Sequence, residues 1–306
     1  MSRKVRAILV VLPIAAVGGA GVWAGLWYRS RAVTPAALVK RIPASDALVV
    51  YLDFDALRRG GVLGLLQNPK ATEEPEYREF ARQIDFDYRE DLDSVLLAVA
   101  PTGKFILARG RFHWKSLRAY AEAQNGRCDN SLCRLEGSTP DRRISFFPVQ
   151  SNLLALAVSN DDSAALRMSR EAGGPDPEVP RAPVWVSIPS AVLQSGDSLP
   201  AETRMFARSL GRADTVVLYF VPEANRYAAK LSVRCRGSRE AADLASELAR
   251  TTALLQQSFE REHRVPNPAD LTGVLTAGSF RSDGNRVFGY WPITRTFVEN
   301  LLGAPK

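Results

Sequence analysis

Twenty-two consecutive residues without a charge, Ala7 to Tyr28, constrain this 306-residue chain more than anything that follows them. At a rise of ~1.5 Å per residue, a helix of that length covers roughly 33 Å, enough for a hydrocarbon core about 30 Å thick. Arg3, Lys4 and Arg6 precede the run, and Trp23, Trp27 and Tyr28 crowd its far end, where rings with an apolar body and a polar edge settle at lipid headgroups. A cleavable signal peptide has a shorter apolar stretch and a small-residue exit site, so the run reads as an uncleaved anchor. Residues 7–28 are therefore expected to cross the inner (cytoplasmic) membrane once. The basic tail, residues 1–6, stays in the cytoplasm, and the bulk of the chain lies in the periplasm or outside the cell. Within the span, Gly21 and Gly25 form a small-xxx-small pair that would let two such helices approach, so a homodimer is allowed.

The formal charge of +7 is local to this anchor. Residues 1–41 hold seven Lys or Arg and no acid, whereas the rest of the chain carries 33 of each sign. A neutral ectodomain has no net field with which to attract polyphosphate, so a nucleic-acid partner is not expected. The basic collar at 29–41 suits anionic lipid instead. With 46% apolar residues, the remaining length can bury a substantial core.

Beyond the collar the order of elements repeats while residue identities do not. Gly173, Gly174, Pro175, Pro177, Pro180 and Pro183 interrupt any regular pattern, so 172–183 reads as a linker between a first module, 42–171, and a second, 184–306. In the first, extended runs at 47–54, 94–100, 104–111, 144–149 and 153–159 alternate with helical patterns at 55–66, 75–84, 114–124 and after Asp162. In the second, runs at 184–188, 215–221, 226–234, 271–280 and 286–291 alternate with helical stretches between Ser190 and Leu210, from Ser238 to Phe259 and over 294–302. Ser238 offers a cap, and Ala241, Leu244, Ala245, Leu248, Thr252, Leu255 and Phe259 form one apolar stripe. The predicted fold class is α+β: an N-terminal transmembrane helix and two similar β-α-β-β-α-β-β-α modules, with mainly antiparallel sheets and helices on one face.

Chemical motifs are sparse. Cys128 and Cys133 enclose the turn-rich Asp129-Asn-Ser-Leu132, which would set them opposite each other in a hairpin, either as a disulfide in an oxidising compartment or as two thiols. Cys235 closes an apolar strand as a packed thiol. With only His113 and His263 besides, no structural zinc site is expected. The pairs Asp53/Asp55, Asp85/Asp87 and Asp91/Asp93 suit helix caps and turns better than Mg²⁺ or Ca²⁺, with Asp55 the candidate cap ahead of Ala56 and Leu57. Pro101-Thr-Gly-Lys104 lacks the glycine and the Ser or Thr of a phosphate loop. No nucleophile elbow, HExxH helix or SxxK motif occurs, so no cofactor, metal or catalytic residue is assigned.

The densest polar–aromatic cluster is Arg109-Gly-Arg-Phe-His-Trp114, where a strand passes into a helix. Arg109, Arg111, His113 and Trp114 there make a candidate binding surface, with Gly110 allowing close backbone approach. The alternative is Trp114 buried beneath the sheet and the arginines solvated.

The stretches Arg41-Ile-Pro-Ala-Ser-Asp-Ala-Leu-Val-Val-Tyr-Leu-Asp-Phe-Asp-Ala-Leu57, Phe86-Asp-Tyr-Arg-Glu-Asp-Leu-Asp-Ser-Val-Leu-Leu-Ala-Val99 and Phe105-Ile-Leu-Ala-Arg-Gly-Arg-Phe112 resemble bacterial single-pass membrane-anchored proteins built as tandem α+β repeats. The resemblance implies location and fold only, and it transfers no catalytic residue. The expected function is an envelope interaction or scaffolding protein with a protein partner. A binding module for envelope glycan, lipid or another small ligand is the alternative, and a hydrolase using Asp85, Asp87 or Asp91 is the third.

Overall fold

The computed structural model describes residues 33–65, 75–137, 139, 142–195, 201–211, 213–223 and 226–301. The expected anchor at 7–28, with Gly21 and Gly25, lies outside them. Among the described residues no helix is long and apolar enough to cross a membrane.

The protein is α+β, with one large antiparallel sheet. The first half runs α1 (Pro35–Val39), β1 (Leu48–Asp53), α2 (Phe54–Arg59), α3 (Val62–Leu65), α4 (Pro75–Ile84), α5 (Tyr88–Asp91), β2 (Leu92–Ala100), β3 (Gly103–Gly110) and α6 (Trp114–Ala123). It continues through β4 (Arg127–Asp129), β5 (Leu132–Glu136), β6 (Arg143–Gln150), β7 (Leu153–Ser159) and α7 (Ala164–Arg167). The second half runs β8 (Val184–Pro189), α8 (Ser190–Ser195), α9 (Ala201–Leu210), β9 (Thr215–Glu223), β10 (Arg226–Arg234) and α10 (Ser238–Arg261). It ends with α11 (Leu271–Thr276), β11 (Ser279–Asp283), β12 (Arg286–Ile293) and α12 (Arg295–Leu301).

The described strands make twelve positions in the order β11-β12-β10-β9-β8-β1-β2-β3-β7-β6-β5-β4. Read outward from the centre, β1-β2-β3-β7-β6 is matched by β8-β9-β10-β12-β11. The first half adds the small β4–β5 hairpin at its edge. The halves meet at β1 and β8, whose ladder pairs Val49 with Ser187, Tyr51 with Trp185 and Leu52 with Val184. They are thus joined edge to edge in one sheet rather than face to face.

Strand alternation gives the sheet two faces. One carries Val95, Ala108, Leu154 and Phe146 in the first half and Val216, Leu231, Val233, Val287 and Trp291 in the second. Helices cover it along its whole length. α6 buries Leu117 and Ala121 there, and α10 buries Ala241, Leu244, Ala245, Leu248, Thr251 and Thr252 at helical spacing. The opposite face carries Tyr51, Leu96, Ala98, Phe105, Leu107, Ala155 and Ala157, and among the described residues helices cover it only in the first half, through Leu38 of α1, Ala164 and Ala165 of α7, and Met168 at the α7 C-cap. The expectation of helices on a single face is therefore corrected. α1 and α7 sit on the other side, because the first half's sheet is apolar on both faces and must be covered on both.

Three local readings also change. Leu271 to Thr276 is helix rather than strand, because Asp270 caps it through the Thr272 amide (2.8 Å) and confines the strand to β11. Gly237, not Ser238, occupies the N-cap of α10, and Glu240 instead accepts from the Arg236 amide (2.9 Å). Asp53, not Asp55, caps α2 by accepting from the Ala56 amide at 2.8 Å.

Candidate functional site

The second half's open face forms the floor of a groove of about 690 Å³. Trp185 and Ser187 of β8, Val217 and Tyr219 of β9, Ser232 and Arg234 of β10, and Arg286 and Phe288 of β12 point into it. One wall is the N-terminal segment through Val39, Ile42 and Ala44, with Val49 of β1 beneath it. The other is a strap, residues 177–181, that crosses this face where the halves meet. Trp185 is buried and stacks on Tyr51, with ring centres 5.5 Å apart. Its indole N–H has no acceptor among the described residues.

The strap belongs to the segment read from sequence as a linker, and it is fixed at several points. Lys40 Nζ donates to the Asp176 carboxylate and the Gly174 carbonyl, both at 3.0 Å. The Ala172 amide donates to the Lys40 carbonyl at 2.8 Å, and the Asp53 amide to the Pro183 carbonyl at 2.7 Å. Pro177 and Pro180 flank Glu178 and restrict the backbone that presents it.

Glu178 meets two arginines. Arg234 and Arg286 are direct cross-strand partners on β10 and β12, a like-charge placement that is unfavourable in isolation. The Glu178 carboxylate lies between them. Arg286 Nη1 donates to Oε1 at 2.7 Å and its Nη2 to Oε2, while Arg234 Nη2 donates to Oε2 at 2.9 Å. The hydrogen bond from Arg286 is the main reason the Glu178 carboxyl is held below the usual carboxylate range, and the same bond raises the Arg286 guanidinium. The cluster stays open to solvent: the Glu178 side chain is 60% exposed and that of Arg286 32%.

The residues singled out from sequence do not converge on this groove. Arg109 pairs with Asp93 at 3.6 Å. Arg111 donates to Asp91 (3.0 Å) and to the Glu90 carbonyl (2.9 Å), which ties the end of β3 to α5. His113 occupies the N-cap of α6 without a side-chain cap bond. Trp114 donates its indole N–H to the Ser151 carbonyl at 3.3 Å, with its ring against Phe112. Gly110 sits where an added Cβ would lie 2.2 Å from the Asp91 carbonyl oxygen, so β3 and the end of α5 are in close backbone contact.

Cys128 and Cys133 face each other across β4 and β5 and are joined as a disulfide. Cys235 is buried and free, and burial pushes its thiol up. Asp87 caps α5 through the Arg89 amide at 2.9 Å, Asp91 holds Arg111, and Asp55 pairs with Arg58 and Arg59. Among the described residues no three His, Cys, Asp or Glu side chains are grouped so as to hold a metal ion.

Glu178, Arg234, Arg286 and Trp185 were not evident as a set from sequence. The available signal was a Pro-Glu-Val-Pro segment and two strand-terminal arginines, which only the β10–β12 register brings together.

No family model matches the sequence, and no curated protein matches it. Among solved structures it is similar in fold to TP0453. Crystal form III of that protein superposes with a TM-score of 0.50 at 10% identity, covering 90% of this chain and 99% of that one. Crystal form I gives 0.49 at 10% identity, with 90% and 99% covered.

Proposed function

We propose that this chain is a membrane-tethered, extracytoplasmic binding module whose groove on the open sheet face takes a small amphipathic ligand. The groove itself carries the reading. Its volume lies in the range of small-molecule sites, and its lining mixes aliphatic and aromatic side chains with hydroxyls and the Glu178, Arg234 and Arg286 charges. The uncharged run at 7–28 supports the tether, with the basic collar against anionic lipid. The Cys128–Cys133 bridge supports an oxidising compartment, since such bonds persist outside the reducing cytoplasm.

A scaffold that recruits a protein partner draws less from the molecule. The edge strand β11 exposes Arg281 and Asp283, charges that discourage strand addition. A hydrolase draws least, because Asp87 and Asp91 are committed to a cap and an ion pair. No catalytic role is proposed for any residue.

The test is native mass spectrometry of the full-length protein released from nanodiscs made with host lipid. The expected result is a retained small-molecule mass in the wild type that is lost in Val217→Trp, which fills the groove. A bare protein mass in both would contradict the reading.

A further inference from the structure

The cross-strand arginine pair points to the ligand's chemistry. Arg234 and Arg286 directly oppose each other, an arrangement that calls for an anion between them, and a carboxylate is already there. That carboxylate comes from the segment between the Asp176 and Pro183 anchors, not from the sheet beneath. Glu178 is more than half exposed, and ion pairs in such surroundings are weak. The same arginines line the groove with Phe288, two residues from Arg286 on β12, and with Val217, Val49, Ile42 and Val39, which lead across the sheet toward β1.

Resting on the groove reading above, we propose that the ligand is a single-chain amphiphile with an anionic headgroup. Its headgroup oxygens replace the Glu178 carboxylate on Arg234 and Arg286, and its chain occupies the apolar part of the groove. Glu178 is thus an internal stand-in for the headgroup, and the strap between Pro177 and Pro180 yields when the ligand enters. An anion alone would forgo the apolar walls, and an uncharged chain would leave Glu178 in place.

The test uses the full-length chain in zwitterionic nanodiscs, titrated with dodecanoate, dodecyl phosphate and dodecanol, with empty nanodiscs subtracted for partitioning. The wild type is expected to bind one or both anionic amphiphiles more tightly than dodecanol, and whichever is tighter names the headgroup. Glu178→Gln, which removes the competing charge, should tighten the anionic amphiphiles severalfold and leave dodecanol unchanged. Arg234→Gln with Arg286→Gln should weaken them about tenfold or more, as expected for loss of charged hydrogen bonds. Circular dichroism of each variant confirms that its fold is kept. Equal binding of all three amphiphiles in every variant would overturn the headgroup assignment while leaving the groove reading standing. Absence of binding by any of them would overturn both.

Discussion

The two halves of the sheet share one strand order and differ in what happens to one face. β1 and β8 are both six residues long and lead directly into a helix, which aligns Tyr51 with Ser187. On the neighbouring strands Leu96 then corresponds to Val217, Leu107 to Ser232, and Ala155 to Phe288. In the first half these positions are fully buried, because α7 turns onto this face and is held by the Ala165 amide donating to Ser145 Oγ (3.2 Å). In the second half the closing helix, α12, goes to the opposite face. There Phe297 and Val298 join the α10 core, and Thr294 and Asn300 bond to the carbonyls of Pro268 and Ala269. The same plan therefore yields a core layer in one half and a groove floor in the other, according to which side the last helix takes. Polar substitutions such as Ser232 mark the face left open.

The largest expected effect contrasts these positions directly. Leu107→Ala should cost about 2–5 kcal/mol in denaturant unfolding, as for other fully buried leucines. A cost well below 1 kcal/mol would mean that the first half's second face is not a true core layer.

Next is the feature the second half lacks, the β4–β5 bridge. Cys128→Ser should lower stability by about 2 kcal/mol under oxidising conditions, the amount expected for a bond that closes a short loop. Reductant should remove the difference between variant and wild type.

Ser232→Leu, which places the apolar type of its counterpart Leu107 on the open face, should change stability by no more than about 0.5 kcal/mol. The same substitution should abolish binding of whichever of dodecanoate and dodecyl phosphate the wild type holds more tightly. A large gain in stability without loss of binding would break the comparison.

The smallest effect concerns pH. The folded carboxyl of Glu178 lies below its unfolded value, so the contribution of the Glu178 contacts is complete above the ordinary carboxylate range and is lost as pH falls through the lower folded value. The protection of the strap amides, measured against their intrinsic exchange rate at each pH, should therefore fall only in acid, and Arg286→Gln should shift that onset upward.

Most elements of the fold were legible from alternation and helical spacing. The Ala241–Thr252 stripe is an example, since its burial follows directly from helical periodicity. Leu271 to Thr276 was not, because a short apolar stretch fits either period and the Asp270 cap decides it. The groove was hidden for a different reason. Arg109 to Trp114 is conspicuous because its polar and aromatic groups are contiguous, yet local partners occupy Arg109, Arg111 and Trp114. Glu178, Arg234 and Arg286 are dispersed in sequence, and their meeting depends on strand register, on the path of the strap and on the side taken by α12, none of which is encoded in local pattern.

The proposed ligand surface is the open face of the second half. Hydrogen–deuterium exchange of the full-length chain in nanodiscs, with and without the tighter-binding of dodecanoate and dodecyl phosphate, tests this directly. The prediction is slower exchange along β9, β10 and β12 around Val217, Ser232 and Phe288, together with faster exchange in the strap at 177–181. Protection confined to Arg109–Trp114 or to the helix-covered face, with the strap unchanged, would contradict it.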